Sequence, residues 1–126
     1  MVCIQTMENL AAGDLEVLVT EKPGLLVLEW RGKSNDRQPA RILDPYFAQL
    51  VEEAARRSLS VEMRFEGLEH FNSATITSII GLVQQARAKS VKLVLVYARG
   101  LKWQKLSFDA LRVLGKSDGL LEIRSA

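Results

Sequence analysis

The side chains able to do chemistry are few, and most fall in one stretch, His70-Phe71-Asn72-Ser73-Ala74-Thr75-Ile76-Thr77-Ser78. Four hydroxyls, those of Ser73, Thr75, Thr77 and Ser78, sit close together there. An apolar stripe at helical spacing, Ile76, Ile79, Ile80, Val83 and Ala86, begins among them. Asn72 or Ser73 can cap that helix, its side-chain oxygen accepting from one of the first unpaired N–H groups. A serine at a helix mouth is also a place where a phosphoryl group can be attached or held, because the unpaired amides and the dipole both favour negative charge. Capping alone is the simpler use, and local pattern leaves both open. A third use, Ser73 as a nucleophile with His70 as its base, lacks a Gly-x-Ser-x-Gly elbow and an evident acid partner. His70 reads as a surface or capping residue.

Those hydroxyls need a strand before them and a helix after them. Residues 60–65 alternate apolar and polar and read as a strand that ends at Phe65. The helix then runs from about Ser73 to Lys89. Earlier, residues 1–13 read as a loosely ordered lead-in. Residues 15–19 and 25–30 read as a hairpin around Glu21-Lys22-Pro23-Gly24. Residues 31–40 are polar, contain Gly32, Ser34, Asn35, Asp36 and Pro39, and read as a loop. Asp44-Pro45 is expected to open the first helix, with Asp44 as N-cap and Pro45 at the first position. Its inward face would be Phe47, Leu50, Val51 and Ala54.

Residues 91–97 are almost all apolar, which predicts a strand buried on both faces. A third helix falls within residues 102–114, with Leu111 and Leu114 inward and with Trp103 and Phe108 read as core. A short last strand covers residues 120–123. The order is β-β-α-β-α-β-α-β. It predicts a single α/β domain over residues 1–126, a mixed sheet of about five strands covered by three or more helices. Sites in such sheets gather at the carboxyl ends of parallel strands, where residues 66–75 fall.

Composition agrees with one domain: 126 residues, 48% apolar and 25% charged. No apolar run is long enough to cross a membrane, so no membrane insertion is expected. The N-terminus lacks the pattern of a signal peptide. Cys3 is the sole cysteine and His70 the sole histidine, so neither an internal disulfide nor a His/Cys metal site is expected, and no cofactor is implied. The expected compartment is a reducing cytoplasm. The first 63 residues hold 7 basic and 10 acidic groups, and the remainder 10 basic and 5 acidic. The basic groups are spread over several elements without aromatic interleaving, so no nucleic-acid partner is expected.

The element order and the short hydroxyl-bearing segment after the third strand resemble the STAS domain of anti-sigma-factor antagonists. Phe71-Asn72-Ser73-Ala74-Thr75 occupies the place of that family's Asp-Ser-Ser/Thr-Gly-type motif, which puts Ser73 at the phosphoacceptor position and Thr75 as second choice. Residues 91–97 resemble the family's G-x-x-L-x-L-V strand, with Ser90 where glycine is usual. Asn72 replaces the family's aspartate and Thr75 its glycine, and Asn followed by Ser or Thr is similar to the divergent SiaC-type branch.

The resemblance spans residues 15–123. It implies a non-catalytic regulatory module switched by reversible phosphorylation of Ser73. Its partners would be a protein kinase or an anti-sigma-type regulator, together with a serine/threonine phosphatase. The partner-binding residues it implies are Phe71, Asn72, Ser73, Ala74, Thr75, Thr77 and Ser78. A homodimer is compatible with it. The alternative is a STAS-like module that binds a nucleotide or lipid headgroup, or supports a transporter, without phosphorylation. No family motif accounts for Lys102-Trp103-Gln104-Lys105-Leu106-Ser107-Phe108.

Overall fold

In a computed structural model of the chain, residues 7–116 and 118–126 are described. Cys3 and the first half of the expected lead-in lie outside them. Among the described residues the sheet has six strands in sequential order: β1 (Leu10–Ala12), β2 (Leu15–Lys22), β3 (Leu25–Ser34), β4 (Ser60–Phe71), β5 (Leu93–Tyr97) and β6 (Leu121–Ser125). Three helices connect the later strands: α1 (Ala40–Arg57), α2 (Ser73–Ala88) and α3 (Lys102–Leu111), the last followed by a 3₁₀ turn at Arg112–Leu114. The α/β class and the mixed sheet are as expected. The sheet has one strand beyond the five of the expected order, because residues 10–12 pair antiparallel with β2, and Met7 before them is buried. That stretch is not a loose lead-in. It is an edge strand too short to show periodicity.

The β2–β3 hairpin turns at Pro23-Gly24, where Gly24 takes φ +72°. From β3 onward each strand is parallel to the one before it. Right-handed crossovers between sequential neighbours put all three helices on one face. That face holds the core: Leu26, Leu28 and Trp30 of β3, Met63 and Phe65 of β4, Leu93 and Leu95 of β5, with Phe47, Leu50, Ile79, Val83 and Phe108 from the helices.

The other face carries no helix. Val27, Val94 and Val96 are still buried there. Arg64 bonds Glu62 at 2.7 Å and Glu66 at 2.8 Å, and Arg124 bonds Glu62 at 3.2 Å and Glu122 at 3.1 Å. Val94 lies in register between Glu62 and Glu122, and Val96 between Arg64 and Arg124. β5 is thus buried on both faces as expected, but long charged side chains shield its outer one.

Three boundaries and one helix face differ from expectation in ways that position the site. β3 continues to Ser34 and β4 to Phe71, so residues 31–34 of the expected loop at 31–40, and residues 66–71 beyond the expected strand end at Phe65, are strand. Polar composition hid the β3 extension, and the register shifts broke the alternation that would have carried β4 on to the buried Leu68 and Phe71. Gly32 takes φ +82°, and a Cβ there would lie 2.0 Å from the Asp14 carbonyl oxygen. Lys33 N–H donates to that same oxygen at 3.0 Å. The β3–β4 register slips between Glu29 and Arg31, a bulge that sets two β4 residues, Phe65 and Glu66, opposite Trp30.

α1 begins at Ala40 with Pro39 as its N-cap, so Asp44 is not the cap and Pro45 lies inside the helix. The earlier start is held by backbone bonds from Ile42 and Leu43 N–H to the Pro39 carbonyl, at 3.1 and 2.8 Å. The inward face of α1 is as expected. α2 is rotated slightly from its expected stripe. Its buried line is Thr75, Ser78, Ile79, Leu82, Val83 and Ala86, leaving Ile76 and Ile80 partly exposed.

Candidate functional site

β4 passes into α2 through a single residue, Asn72, in extended conformation. The junction is a built cap and not a loop. Asn72 Oδ1 accepts from Thr75 N–H at 2.9 Å and from Thr75 Oγ1 at 2.7 Å. Its Nδ2 donates to the Asp36 carbonyl at 2.7 Å, and its backbone N–H donates to the Ser34 carbonyl at 3.1 Å. The cap therefore closes α2 and also ties down the segment that leads into α1. An aspartate here would turn an acceptor toward the Asp36 carbonyl, which accounts physically for the amide at this position.

The Thr75 hydroxyl is fully buried and lies 2.7 Å from the buried Ser34 hydroxyl. Proton counting orders the chain of bonds. Thr75 has one proton, and Asn72 Oδ1 can only accept, so Thr75 donates to Asn72 and Ser34 donates to Thr75. Thr75 is thus a structural hinge-pin between β3 and α2. Buried and bonded, it is not placed as a surface phosphoacceptor.

The remaining expected site residues divide sharply. Ser73 is exposed at the first position of α2, and among the described residues its hydroxyl has no hydrogen bond. Thr77 is exposed too, but its hydroxyl donates to the Ser73 carbonyl at 3.2 Å. Ala74 is half-buried. Ser78 is buried, and its Oγ has no partner among the described residues.

Phe71 is buried and is not a surface contact. It packs edge-on against Trp103 at 5.2 Å and against Phe65 at 6.3 Å, and Phe108 lies 5.8 Å away. Its place is the last inward position of β4. His70 is exposed, with its ring 6.3 Å from Trp103, and no hydrogen bond joins it to Ser73 among the described residues.

The segment around Trp103 explains how β4 reaches the junction. Gln104 is fully buried. Its Nε2 donates to the Phe65 carbonyl at 2.6 Å and the Leu68 carbonyl at 3.0 Å, and its Oε1 accepts from Ala98 N–H at 2.8 Å. Those two carbonyls flank the bulged stretch, where the ladder is interrupted. Gln104 thereby serves polar groups that would otherwise be buried unpaired. Phe108 is core, stacked on Tyr97 at 5.6 Å. Nothing in the sequence around Gln104 said that it would be buried or what it would bond.

Ser90, which follows α2, takes φ +56°. That backbone favours glycine, which accounts for the residue usual at this place in the resembling family. Among the described residues no cluster of His, Cys, Asp and Glu could hold a metal ion. No helix of the described residues is long and apolar enough to cross a membrane.

No family model matches the sequence, and no curated protein matches it. Solved structures do. A chain of the complex between the diguanylate cyclase SiaD and its activator SiaC, from Pseudomonas aeruginosa, superimposes with a TM-score of 0.66 at 13% identity, covering 94% of this chain and 99% of that one. An anti-sigma factor antagonist from Mycobacterium paratuberculosis gives 0.57 at 14% identity, covering 90% of each chain. The anti-sigma factor antagonist SpoIIAA in its unphosphorylated form gives 0.50 at 11% identity, covering 76% of this chain and 97% of that one. The chain has the STAS-like fold that these anti-sigma factor antagonists and the SiaC type share.

Proposed function

We propose that the chain is a non-catalytic interaction module of anti-sigma-factor antagonist type, switched by reversible phosphorylation of Ser73. One observation carries it. Of the four hydroxyls at the junction, Ser73 alone is both exposed and without a hydrogen bond among the described residues. Asn72 does the capping, so the Ser73 side chain has no structural task to lose. Two similar structures support the class: one is described in an unphosphorylated form, and another contains an activator complexed with its target enzyme.

In the unmodified state, Ser73 and the exposed side of α2 dock a regulatory protein in the cytoplasm. Phosphorylation adds nearly two negative charges to the Ser73 oxygen. The N-terminus of α2 tolerates them, so the fold survives. A partner surface fitted to a neutral hydroxyl then faces a desolvated dianion, and binding weakens by several kcal/mol, on the order of 2–5. A phosphatase reverses the change. The alternative of a small-ligand module has less support. A cavity beside the junction, between β1–β2, the end of β3 and α1, is about 150 Å³, and the larger space between α1 and α2, about 660 Å³, is an open trough. Drug-sized ligands need roughly 300 Å³ or more.

The test is incubation with ATP in extract of the native cell, then intact mass and phosphopeptide mapping of the recovered chain. The expected result is one phosphoryl group, on Ser73. Undiminished modification of Ser73→Ala overturns the assignment.

A further inference from the structure

A trough of about 660 Å³ runs between the first turns of α1 and the exposed side of α2. Arg37 and Arg41 line it from the α1 side, and Thr77, Ser78, Ile80 and Gly81 from α2. Three features are unresolved by the fold itself. Neither Arg37 nor Arg41 makes an ion pair among the described residues, and the only bond of the Arg41 guanidinium is to Gln38 Oε1 at 3.3 Å. Arg41 also sits in the first turn of α1, where the helix dipole disfavours a cation and no acid accompanies it. Ser78 is 4% exposed and lines the trough, yet its Oγ is unpartnered. A buried hydroxyl without a partner is a standing cost that an incoming polar group can relieve.

We infer that this trough seats an acidic segment of a partner protein, its carboxylates held between Arg37 and Arg41. The apolar Ile80, partly exposed beside the bare Gly81, gives a flat seat for one apolar side chain of that segment. Asp44, the one acid in the lining, lies one turn beyond Arg41 on α1, and the two arginines outnumber it. The trough is open along its length, which suits a stretch of chain better than an enclosed small molecule. The inference rests on the interaction-module reading above and not on phosphorylation.

The test pans a random-peptide phage library against the full chain, then titrates the synthetic consensus peptide by fluorescence anisotropy. Acidic peptides are expected, with affinity that falls as salt rises. The Arg37→Gln/Arg41→Gln double variant, whose changes lie at the surface, should bind at least about tenfold more weakly while melting like the wild type. Gly81→Leu should block the trough. An absence of enriched peptides, enrichment of basic or uncharged ones, or equal affinity in the double variant overturns the inference. The same titration on Ser73→Asp separates the two readings. Loss of binding in the arginine variant with none in Ser73→Asp leaves the trough standing and counts against the switch. The reverse pattern does the opposite.

Discussion

α1 and α2 flank the same trough, yet their first turns are built in opposite ways. α2 leaves β4 through one residue, and the Asn72 side chain caps it with bonds to Thr75 and to the Asp36 carbonyl. α1 follows a loop, starts on Pro39 with no side-chain cap, and carries Pro45 within it. The ends of the two helices are alike. Each is followed by a serine in the left-handed region, Ser58 directly after α1 at φ 55° and Ser90 two residues after α2 at φ 56°. In each, the next N–H reaches back five residues, Leu59 to the Ala54 carbonyl and Val91 to the Ala86 carbonyl, both at 2.8 Å. The contrast teaches where the fold spends its polar groups. It fixes the helix start that presents Ser73 and leaves the arginine-bearing start of α1 without a side-chain cap.

The largest effect that would break this comparison is expected at Asn72. Asn72→Ala removes the cap and leaves the buried Thr75 hydroxyl without its acceptor. A loss of about 2–3 kcal/mol is expected in denaturant unfolding, from a cap worth up to ~2 and an unsatisfied hydroxyl. Thr75→Val should cost about 1–3 kcal/mol, because it strands the buried Ser34 hydroxyl. Pro39→Ala, the matching change at α1, should cost no more than about 1 kcal/mol, since no cap bond is lost there. Equal losses at Asn72 and Pro39 would mean that the two starts are not differently secured.

The next effect is smaller and runs the other way. Ser90→Gly and Ser58→Gly should each stabilise by about 1 kcal/mol, because glycine enters the left-handed region without the penalty a Cβ brings. Similar gains at both sites, read as shifts in melting temperature, would sharpen the view that the helix ends are equivalent while the starts are not. A loss at either would show that its serine has a further task.

Much of this architecture was legible from periodicity. The core faces of α1 and β5, and the existence of each later strand and helix, follow from apolar spacing, as Phe47, Leu50, Val51 and Ala54 show. What periodicity could not carry was the polar half of the design. The extensions of β3 to Ser34 and β4 to Phe71 are held by cross-strand backbone bonds and by Gln104, whose acceptors are more than thirty residues away. The start of α1 was misplaced because Asp44-Pro45 has the chemistry of a cap, while tertiary context begins the helix at Ala40. At the site, the cluster of four hydroxyls was plain in the sequence, but its division was not. Only the register of β3 against α2 buries Thr75 on Ser34 and leaves Ser73 outside.

The smallest effect is the most telling, because it falls on Ser73 itself. Were Ser73 the cap, Ser73→Ala would cost about 0.5–2 kcal/mol and Ser73→Asp would recover it. With Asn72 as the cap and the Ser73 hydroxyl unbonded, Ser73→Ala should instead leave stability within about 0.5 kcal/mol. Ser73→Asp should hold or add a few tenths, since one negative charge sits well on the first turn of α2, which has no acid of its own. The two variants should therefore melt together while their binding parts. Ser73→Ala keeps the regulatory partner, and Ser73→Asp, with one charge on a shorter group, weakens it by part of the full phosphate effect. Paired melts and titrations on wild type, both variants and the phosphorylated chain read this directly. Equal partner affinity across all four would leave Ser73 as an ordinary exposed serine at the mouth of a helix that Asn72 already closes.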